Sequence, residues 1–144
     1  MATDRRAEVQ WEGSLLEGSG TIVSTTTGAI GEQAVSWAAR STDEAGGVTS
    51  PEELIAAAHA ACFSMALANG LSKDGHEPDE LRTSATVTFQ PGEGITRVAL
   101  TVAGTVPGLD EAAFEEAAQT AKENCPVSKA LAGVPEITLE AKLG

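Results

Sequence analysis

A helix-start signal followed by an apolar run that only His59 and Ser64 interrupt, within residues 49–73, constrains the fold of this chain more than any other feature. Ser50 and Glu53 stand at the N-cap and N3 positions of a capping box, which predicts that a helix begins between them. Residues 54–68 are then apolar on every side, and a helix without a polar face belongs inside a fold. A membrane span is the competing interpretation, but the apolar run is shorter than the about 20 residues needed to cross. We therefore predict a long buried central helix.

Composition narrows the class of protein. A chain of 144 residues predicts a single domain over residues 1–144. The N-terminus is polar and shows no signal peptide, so we expect a cytoplasmic protein, in which cysteines are more often chemical than structural. The net charge is −12, from nine Lys and Arg against 21 acids. That balance argues against a nucleic-acid partner, because phosphates need a basic surface.

Alternating apolar and polar residues predict three short strands before the central helix. The first strand covers residues 7–12 and is expected to be half-buried. The second covers residues 21–24, and the third runs from Val35 past Trp37 to end near Arg40. Strands at this spacing predict an N-terminal antiparallel meander.

The chain after the helix predicts a hairpin, a second helix and a last strand. Either Asn69–Gly70 or Asp74–Gly75 could end the central helix. Residues 85–102 alternate on both sides of a Pro-Gly turn, which is typical of a β hairpin. Asp110 caps a second helix, and residues 137–143 alternate again. This order of elements predicts the α+β class.

The two cysteines are the residues that could carry chemistry. Cys62 and Cys125 are 63 residues apart, which excludes a C-x-x-C motif, and adding His59 and His76 produces no zinc-ligand spacing, so no metal is expected. Cys62 alone could be a small core hydrophobe. Cys125 precedes a proline at or near the N-cap of a short turn, where free N–H groups favour a thiolate. The residues alone leave a redox role and an inert role open.

Two longer motifs resemble those of a known family. S-P-E-E-L-I-A-A-A-H-A-A-C-F-S-M-A-L is similar to the central-helix motif of the OsmC/Ohr family, the osmotically inducible and organic hydroperoxide resistance proteins, and E-N-C-P-V-S-K-A-L is similar to its second-cysteine motif. The segments V-Q-W-E-G, V-P-G-L-D and E-I-T-L-E extend the resemblance over essentially the whole chain. His59, three residues before Cys62, resembles the OsmC branch, since the Ohr branch has an aromatic residue there.

The resemblance implies a cysteine-based, peroxiredoxin-like peroxidase that reduces organic hydroperoxides, and hydrogen peroxide less well. By motif, Cys62 would be the peroxidatic thiol, which the peroxide oxidises to a sulfenic acid. Cys125 would be the resolving thiol, which closes an intramolecular disulfide and releases water. A dithiol or lipoyl-type reductant would then restore the pair, and no cofactor is implied.

The resemblance also implies a glutamate and an arginine in the site. Glu52, ten residues before Cys62, matches the family's active-site glutamate. In the OsmC branch the arginine that holds the thiolate follows the third strand, where Arg40 stands, and in the Ohr branch it lies nearer the N-terminus, which makes Arg5 or Arg6 the alternative. A buried guanidinium would stabilise the thiolate, and a carboxylate would neutralise and orient that guanidinium.

Helix geometry separates two of these residues. Ten residues of helix place Glu52 and Cys62 about 15 Å apart along one axis, a distance that a glutamate side chain cannot span. Either the helix is broken or Glu52 comes from a second copy of the chain. The family is an intertwined homodimer with active sites at the subunit interface, and an alanine-rich apolar helix also favours a partner helix across a two-fold axis.

Two further classes of function stay open at this point. The cysteine pair could serve a peroxide-sensing or redox-binding module without significant turnover, or it could be inert in a structural dimer. In each case we expect no nucleic acid and no membrane as a partner.

Overall fold

The computed structural model describes residues 1–144, which divide into two compact units, Met1–Pro51 and Glu52–Gly144. The first unit contains an antiparallel sheet in the order β1-β2-β3. Its elements are β1 (Ala7–Glu12), β2 (Ser19–Thr25), β3 (Gln33–Val35) and the short helix α1 (Trp37–Ser41). The predicted N-terminal meander is therefore confirmed, while a single domain over residues 1–144 stays a prediction.

Two details of the first unit differ from the prediction. The third strand ends at Val35 and does not continue to Arg40, because the Ser36 side chain accepts a hydrogen bond from the Ala39 N–H at 3.1 Å and starts α1. All six residues of β1 are exposed, so the expectation of a half-buried strand is wrong within one chain. The alternation of apolar and polar residues identifies which face of a strand is suited to burial. It does not show whether another part of the same chain packs on that face.

The second unit carries the central helix and the mixed sheet. Its elements are α2 (Pro51–Lys73), β4 (Glu80–Gln90), β5 (Gly94–Thr105), α3 (Glu111–Asn124), α4 (Pro126–Ala130) and β6 (Glu136–Leu143). β4 and β5 form the predicted antiparallel hairpin, and β6 pairs in parallel with β5 after the crossover through α3 and α4. The α+β class, the second helix and the last strand are confirmed.

The central helix ends at the second of the two predicted stop signals. Gly75 adopts a φ of +84°, a left-handed conformation that glycine adopts without strain. The His76 N–H donates to the Leu71 carbonyl at 2.9 Å and the Gly75 N–H donates to the Ser72 carbonyl at 3.1 Å. This pair of bonds is a Schellman motif, and it satisfies carbonyls that the helix leaves free.

One side of α2 packs into the core of the second unit. The residues of α2 that are buried are Glu52, His59, Phe63, Leu67 and Leu71. Ala57, Ala58, Ala61 and Met65 form an exposed apolar stripe along the helix. The prediction of a helix buried on every side is therefore wrong within one chain, because its apolar surface exceeds what one sheet and α3 cover.

By length and composition α2 could cross a membrane, since its 23 residues include a window of mean hydropathy 1.5. Core helices of soluble proteins pass the same test. Two ionisable side chains of α2, Glu52 and His59, are buried inside the protein, as are the three large apolar residues that follow them on the same face. The helix therefore has a packed interior face, which is typical of a core helix.

Close packing of α3 on the sheet positions the end of α3. A Cβ atom on Gly104 of β5 would lie 2.6 Å from the Phe114 ring, so only glycine admits the ring at this point. Phe114 is completely buried, and Ala118, Ala121 and Cys125 continue the buried face of the helix to its end. This packing holds Cys125 in the core beside α2.

Candidate active site

The fold brings the two cysteines together from distant parts of the chain. Cys62 lies in the middle of α2 and Cys125 lies between α3 and α4, and both are free thiols. The two thiols interact, and each shifts the pKa of the other. Cys125 is 0% exposed, whereas Cys62 is half-buried at the edge of the same core cluster. The pair therefore has one enclosed sulfur and one that can be reached.

Cys125 occupies the N-cap position of α4, as its proline neighbour predicts. Burial alone would raise the pKa of this thiol. Hydrogen bonding from Cys62, from the N–H and hydroxyl of Ser128 and from the N–H of Val127 outweighs that effect, so the pKa of Cys125 lies below its usual value. The Cys125 side chain accepts no N-cap hydrogen bond of ordinary geometry from the first turn of α4. The helix start nevertheless favours negative charge on this sulfur.

Cys62 has the opposite tendency. Burial raises the pKa of its thiol, and Cys125 raises it further by accepting a hydrogen bond from that thiol, while hydrogen bonding from the Val127 N–H lowers it. Within this unit the proton therefore stays on Cys62 and negative charge is favoured on Cys125. A thiolate at Cys62 needs an additional cation, as the sequence argument predicts.

A buried histidine and serine lie beside the cysteines. His59 is 0% exposed, and its Nε2 lies 2.7 Å from Ser128 Oγ. The other ring nitrogen, Nδ1, is buried without a hydrogen-bond partner. Burial lowers the pKa of His59, which keeps the ring neutral near pH 7. Ser128 therefore connects a neutral imidazole to the sulfur of Cys125.

A cleft of about 850 Å³ opens onto Cys62. The apolar residues that line it include Met65, Ala66 and Leu109, and the polar residues include Lys73 and Glu116. Cys125 does not line the cleft, although Asn124 and Pro126 on either side of it do. A small molecule in this cleft can therefore reach Cys62 before it can reach Cys125.

The remaining predicted site residues lie in different places. Glu52 is only 6% exposed in the first turn of α2, on the same unbroken helix as Cys62. Arg40 is half-buried at the end of α1 in the first unit. Arg5 and Arg6 are exposed, and Arg6 pairs with Glu8 at 2.7 Å. The roles of Glu52 and of all three arginines stay predictions.

The side chains that could bind a metal ion do not cluster. No group of three or more His, Cys, Asp or Glu residues in the chain is arranged to hold one. A second cleft, of about 1000 Å³, is lined by residues of β4, β5, β6 and α3 and contains neither cysteine.

Sequence reasoning did not identify the histidine–serine pair. In the sequence, His59 indicates only the branch of the family, and Ser128 is only one residue of the second-cysteine motif. Two signals could have identified them: a lone histidine on an apolar helix face, and a serine three residues after Cys125. Neither signal links residues 69 positions apart, which the fold alone brings into contact.

Comparisons with known proteins agree with the resemblance seen in the motifs. The family model described as OsmC-like protein matches residues 44–140. The chain is 42% identical to "Peroxiredoxin OsmC" of Escherichia coli (strain K12) over 99% of both chains. It is 33% identical to "Organic hydroperoxide resistance protein OhrB" of Bacillus subtilis (strain 168), over 65% of this chain and 70% of that one.

A solved structure shares the fold over the full length. An organic hydroperoxide resistance protein from Elizabethkingia anophelis superimposes with a TM-score of 0.71 at 23% identity, covering 100% of both chains. At that identity the likeness concerns the fold alone. It agrees with the mixed α+β architecture described above.

Proposed function

This chain belongs to the OsmC-like family, and from that membership we propose that it is a cysteine-based peroxidase that reduces organic hydroperoxides. The names of its relatives, a peroxiredoxin and an organic hydroperoxide resistance protein, support a role in peroxide detoxification. The observation in this chain that carries the proposal is the asymmetric thiol pair. One thiol faces a cleft, and the other is enclosed beside it at a helix start.

This asymmetry assigns a different half of the reaction to each thiol. The Cys62 thiolate attacks the terminal oxygen of the hydroperoxide, the O–O bond breaks, and the alkoxide leaves and takes up a proton as an alcohol. Cys62 is then a sulfenic acid. The Cys125 thiolate attacks that sulfur, an S–S bond forms, and the hydroxyl leaves as water after taking up a proton. A dithiol reductant, lipoyl-type or other, reduces the disulfide by exchange.

The cleft supports an organic rather than an inorganic peroxide as the preferred substrate. Met65, Ala66 and Leu109 provide apolar surface in the cleft that Cys62 lines. An alkyl or aryl group that leaves water for such a surface contributes favourable transfer free energy, about 0.8 kcal/mol for each buried methylene. Hydrogen peroxide has no group that can use this surface.

The proposal is tested by peroxide consumption with the purified protein and a dithiol. We expect repeated turnover with an alkyl or aryl hydroperoxide and a lower kcat/KM with hydrogen peroxide. Consumption limited to one equivalent per thiol pair, even with excess dithiol, would support a peroxide-sensing module instead. No loss of free thiols after peroxide treatment would leave only a structural role for the pair.

We expect Arg40 to be the cation that lowers the pKa of Cys62. Arg40 is half-buried, whereas Arg5 and Arg6 are exposed and screened by water. Arg40→Ala should therefore slow the reaction of Cys62 with hydroperoxide more than tenfold, by about 1.4 kcal/mol or more in activation free energy. Single-turnover kinetics and the pH dependence of thiolate absorbance measure this effect.

The matched controls are Arg5→Ala and Arg6→Ala, which remove the same charge from exposed positions. We expect both variants to react at close to the rate of the unmodified protein. A large loss of reaction rate in either variant, with Arg40→Ala unaffected, would show that the N-terminal arginine stabilises the thiolate. The site would then have the Ohr arrangement.

We also propose that each active site is shared by two chains of a homodimer. The helix from Pro51 to Lys73 is continuous, so a break cannot bring Glu52 to Cys62, and the two remain about 15 Å apart along its axis. The exposed stripe of Ala57, Ala58, Ala61 and Met65 runs past Cys62 and would pack against a second copy of the helix. Two antiparallel copies would place the start of one helix beside the middle of the other.

Subunit exchange tests the shared site. We expect mixing inactive Glu52→Ala and Cys62→Ser proteins to restore activity, because in the heterodimer one site carries both lesions and the other carries none. Each heterodimer should then have about half of the wild-type activity. Exchange is verified by native mass spectrometry before turnover is measured.

The matched control is a mixture of Cys62→Ser and Cys125→Ser proteins. Both cysteines of a site come from one chain, so every site in that mixture keeps one lesion and sustained turnover should not recover. Lack of recovery in the Glu52 mixture, with exchange verified, would place the whole site in one chain. A monomer in solution scattering would also contradict the proposal.

A further inference from the structure

The buried pair formed by His59 and Ser128 is not used by the mechanism above. His59 is completely enclosed, 69 residues from Ser128 in the chain, yet its Nε2 lies 2.7 Å from Ser128 Oγ. Ser128 is itself 8% exposed in α4, three residues after Cys125, and hydrogen bonding from its hydroxyl and N–H lowers the pKa of Cys125. A chain of polar contacts therefore runs from α2 through α4 to the enclosed sulfur.

The direction of these contacts follows from the partners available. A neutral imidazole carries one N–H, and Nδ1 has no hydrogen-bond partner in the core. A buried N–H without an acceptor is rare in proteins, so we assign the proton to Nε2, which then donates to Ser128 Oγ. Ser128 has a single hydroxyl hydrogen, and with its oxygen accepting from His59 that hydrogen is free to point at Cys125 Sγ.

We propose that His59 and Ser128 are positioning residues for the resolving thiol: His59 orients the Ser128 hydroxyl, which donates to Cys125 Sγ and readies it to attack oxidised Cys62. This inference rests on the proposed function, and it concerns the second half-reaction. The S–S bond forms, the S–O bond of the sulfenic acid breaks, and the departing hydroxide takes up a proton as water. His59 and Ser128 supply hydrogen bonds and are not consumed.

Other groups around Cys125 do not substitute for this pair. From α2 it is faced by Cys62 and, through Ser128, by His59, and from its own junction by the N–H groups of Val127 and Ser128. The side chains that hydrogen-bond the sulfur of Cys125 and lower its pKa are those of Cys62 and Ser128. Oxidation of Cys62 replaces its S–H, whereas the Ser128 hydroxyl is unchanged by that step and can still donate to Cys125.

The first experiment titrates Cys125 as the single cysteine of a Cys62→Ala protein, by thiolate ultraviolet absorbance. Ser128→Ala should raise the titration midpoint by about one pH unit, the effect of losing one hydrogen bond to a charged group. His59→Leu should raise it as well, by a smaller amount. His59→Gln should not, because the glutamine amide presents a donor where Nε2 stood. A midpoint unchanged by Ser128→Ala would overturn the inference.

The second experiment compares two rates in proteins that keep both cysteines. Sulfenic acid is trapped with a cyclic dione and disulfide is measured by intact mass, after one equivalent of an aryl hydroperoxide. Ser128→Ala should slow disulfide formation, relative to sulfenic acid formation, about tenfold. An unchanged ratio would overturn the inference even if turnover falls, since a general loss of stability would slow both steps.

The histidine variants keep the test decisive if Ser128→Ala fails to fold. His59→Leu and His59→Gln are similar in size, and only glutamine retains the donor. Equal midpoints and equal rate ratios in the two would contradict the inference. A wild-type protein that forms no disulfide with peroxide would contradict the proposed function, and the titration would still decide whether the pair acts on Cys125.

Discussion

Replacing Cys62 with serine should abolish hydroperoxide reduction. The cleft reaches the thiol of Cys62 and does not reach Cys125, so no second nucleophile can take over the attack on the peroxide. A serine hydroxyl is not deprotonated near pH 7 and does not form a stable oxidised intermediate with peroxide. We expect steady-state consumption of an aryl hydroperoxide with excess dithiol to fall to the uncatalysed rate.

The serine variant should keep its fold, which makes the loss of activity interpretable. Serine is close to cysteine in size, and position 62 is half-buried at the edge of the core cluster. Circular dichroism and thermal unfolding should match the unmodified protein within a few degrees. Turnover that persists in a folded Cys62→Ser protein would contradict the peroxidase mechanism proposed above.

Replacing Cys125 with serine should leave the first step intact and prevent the second. The Cys62 sulfenic acid then has no resolving thiol within reach, and excess peroxide oxidises it further to sulfinic and sulfonic acids. Intact mass should show added oxygens in this variant, whereas the wild type should show the loss of two hydrogens that marks a disulfide. Activity with dithiol should decay during the assay as the over-oxidised form accumulates.

The Cys62→Ser protein is the matched control for this experiment, because it keeps Cys125 and should gain no oxygen. Serine at position 125 can still accept hydrogen bonds from its neighbours, so the variant should fold. If the wild type forms only disulfides between chains, Cys125 is not the resolving thiol. If the variant resists over-oxidation, another group resolves the sulfenic acid.

The sequence by itself determined most of the elements and their order, with α1 the exception, because the signals for these are local. The capping box sets the start of α2 at Pro51, and residues 85–102 predict their hairpin by alternation. The proline after Cys125 places that cysteine at the start of a short helix. Two long motifs identified the family, because they span contiguous residues.

Local signals were less reliable where two neighbouring interactions compete. Val35 and Trp37 alternate as in a strand, but the hydrogen bond of the Ser36 side chain to the Ala39 N–H ends the strand and begins α1. Two Gly-containing stops followed the apolar run of α2. Only the second, at Gly75, has the left-handed backbone and the paired hydrogen bonds that end the helix.

The tertiary structure alone decided which residues share a site. Cys62 and Cys125, and likewise His59 and Ser128, meet because α3 packs on the sheet beside α2, and no periodicity in the sequence reports such a contact. The same packing decided which thiol is enclosed, and so which way their pKa values diverge. Burial and hydrogen bonding depend on surfaces joined across many residues, so they exist only once the chain has folded. The exposed apolar stripe of α2 has the same origin. The sequence determines how much apolar surface a helix has, and the fold determines how much of that surface one chain buries.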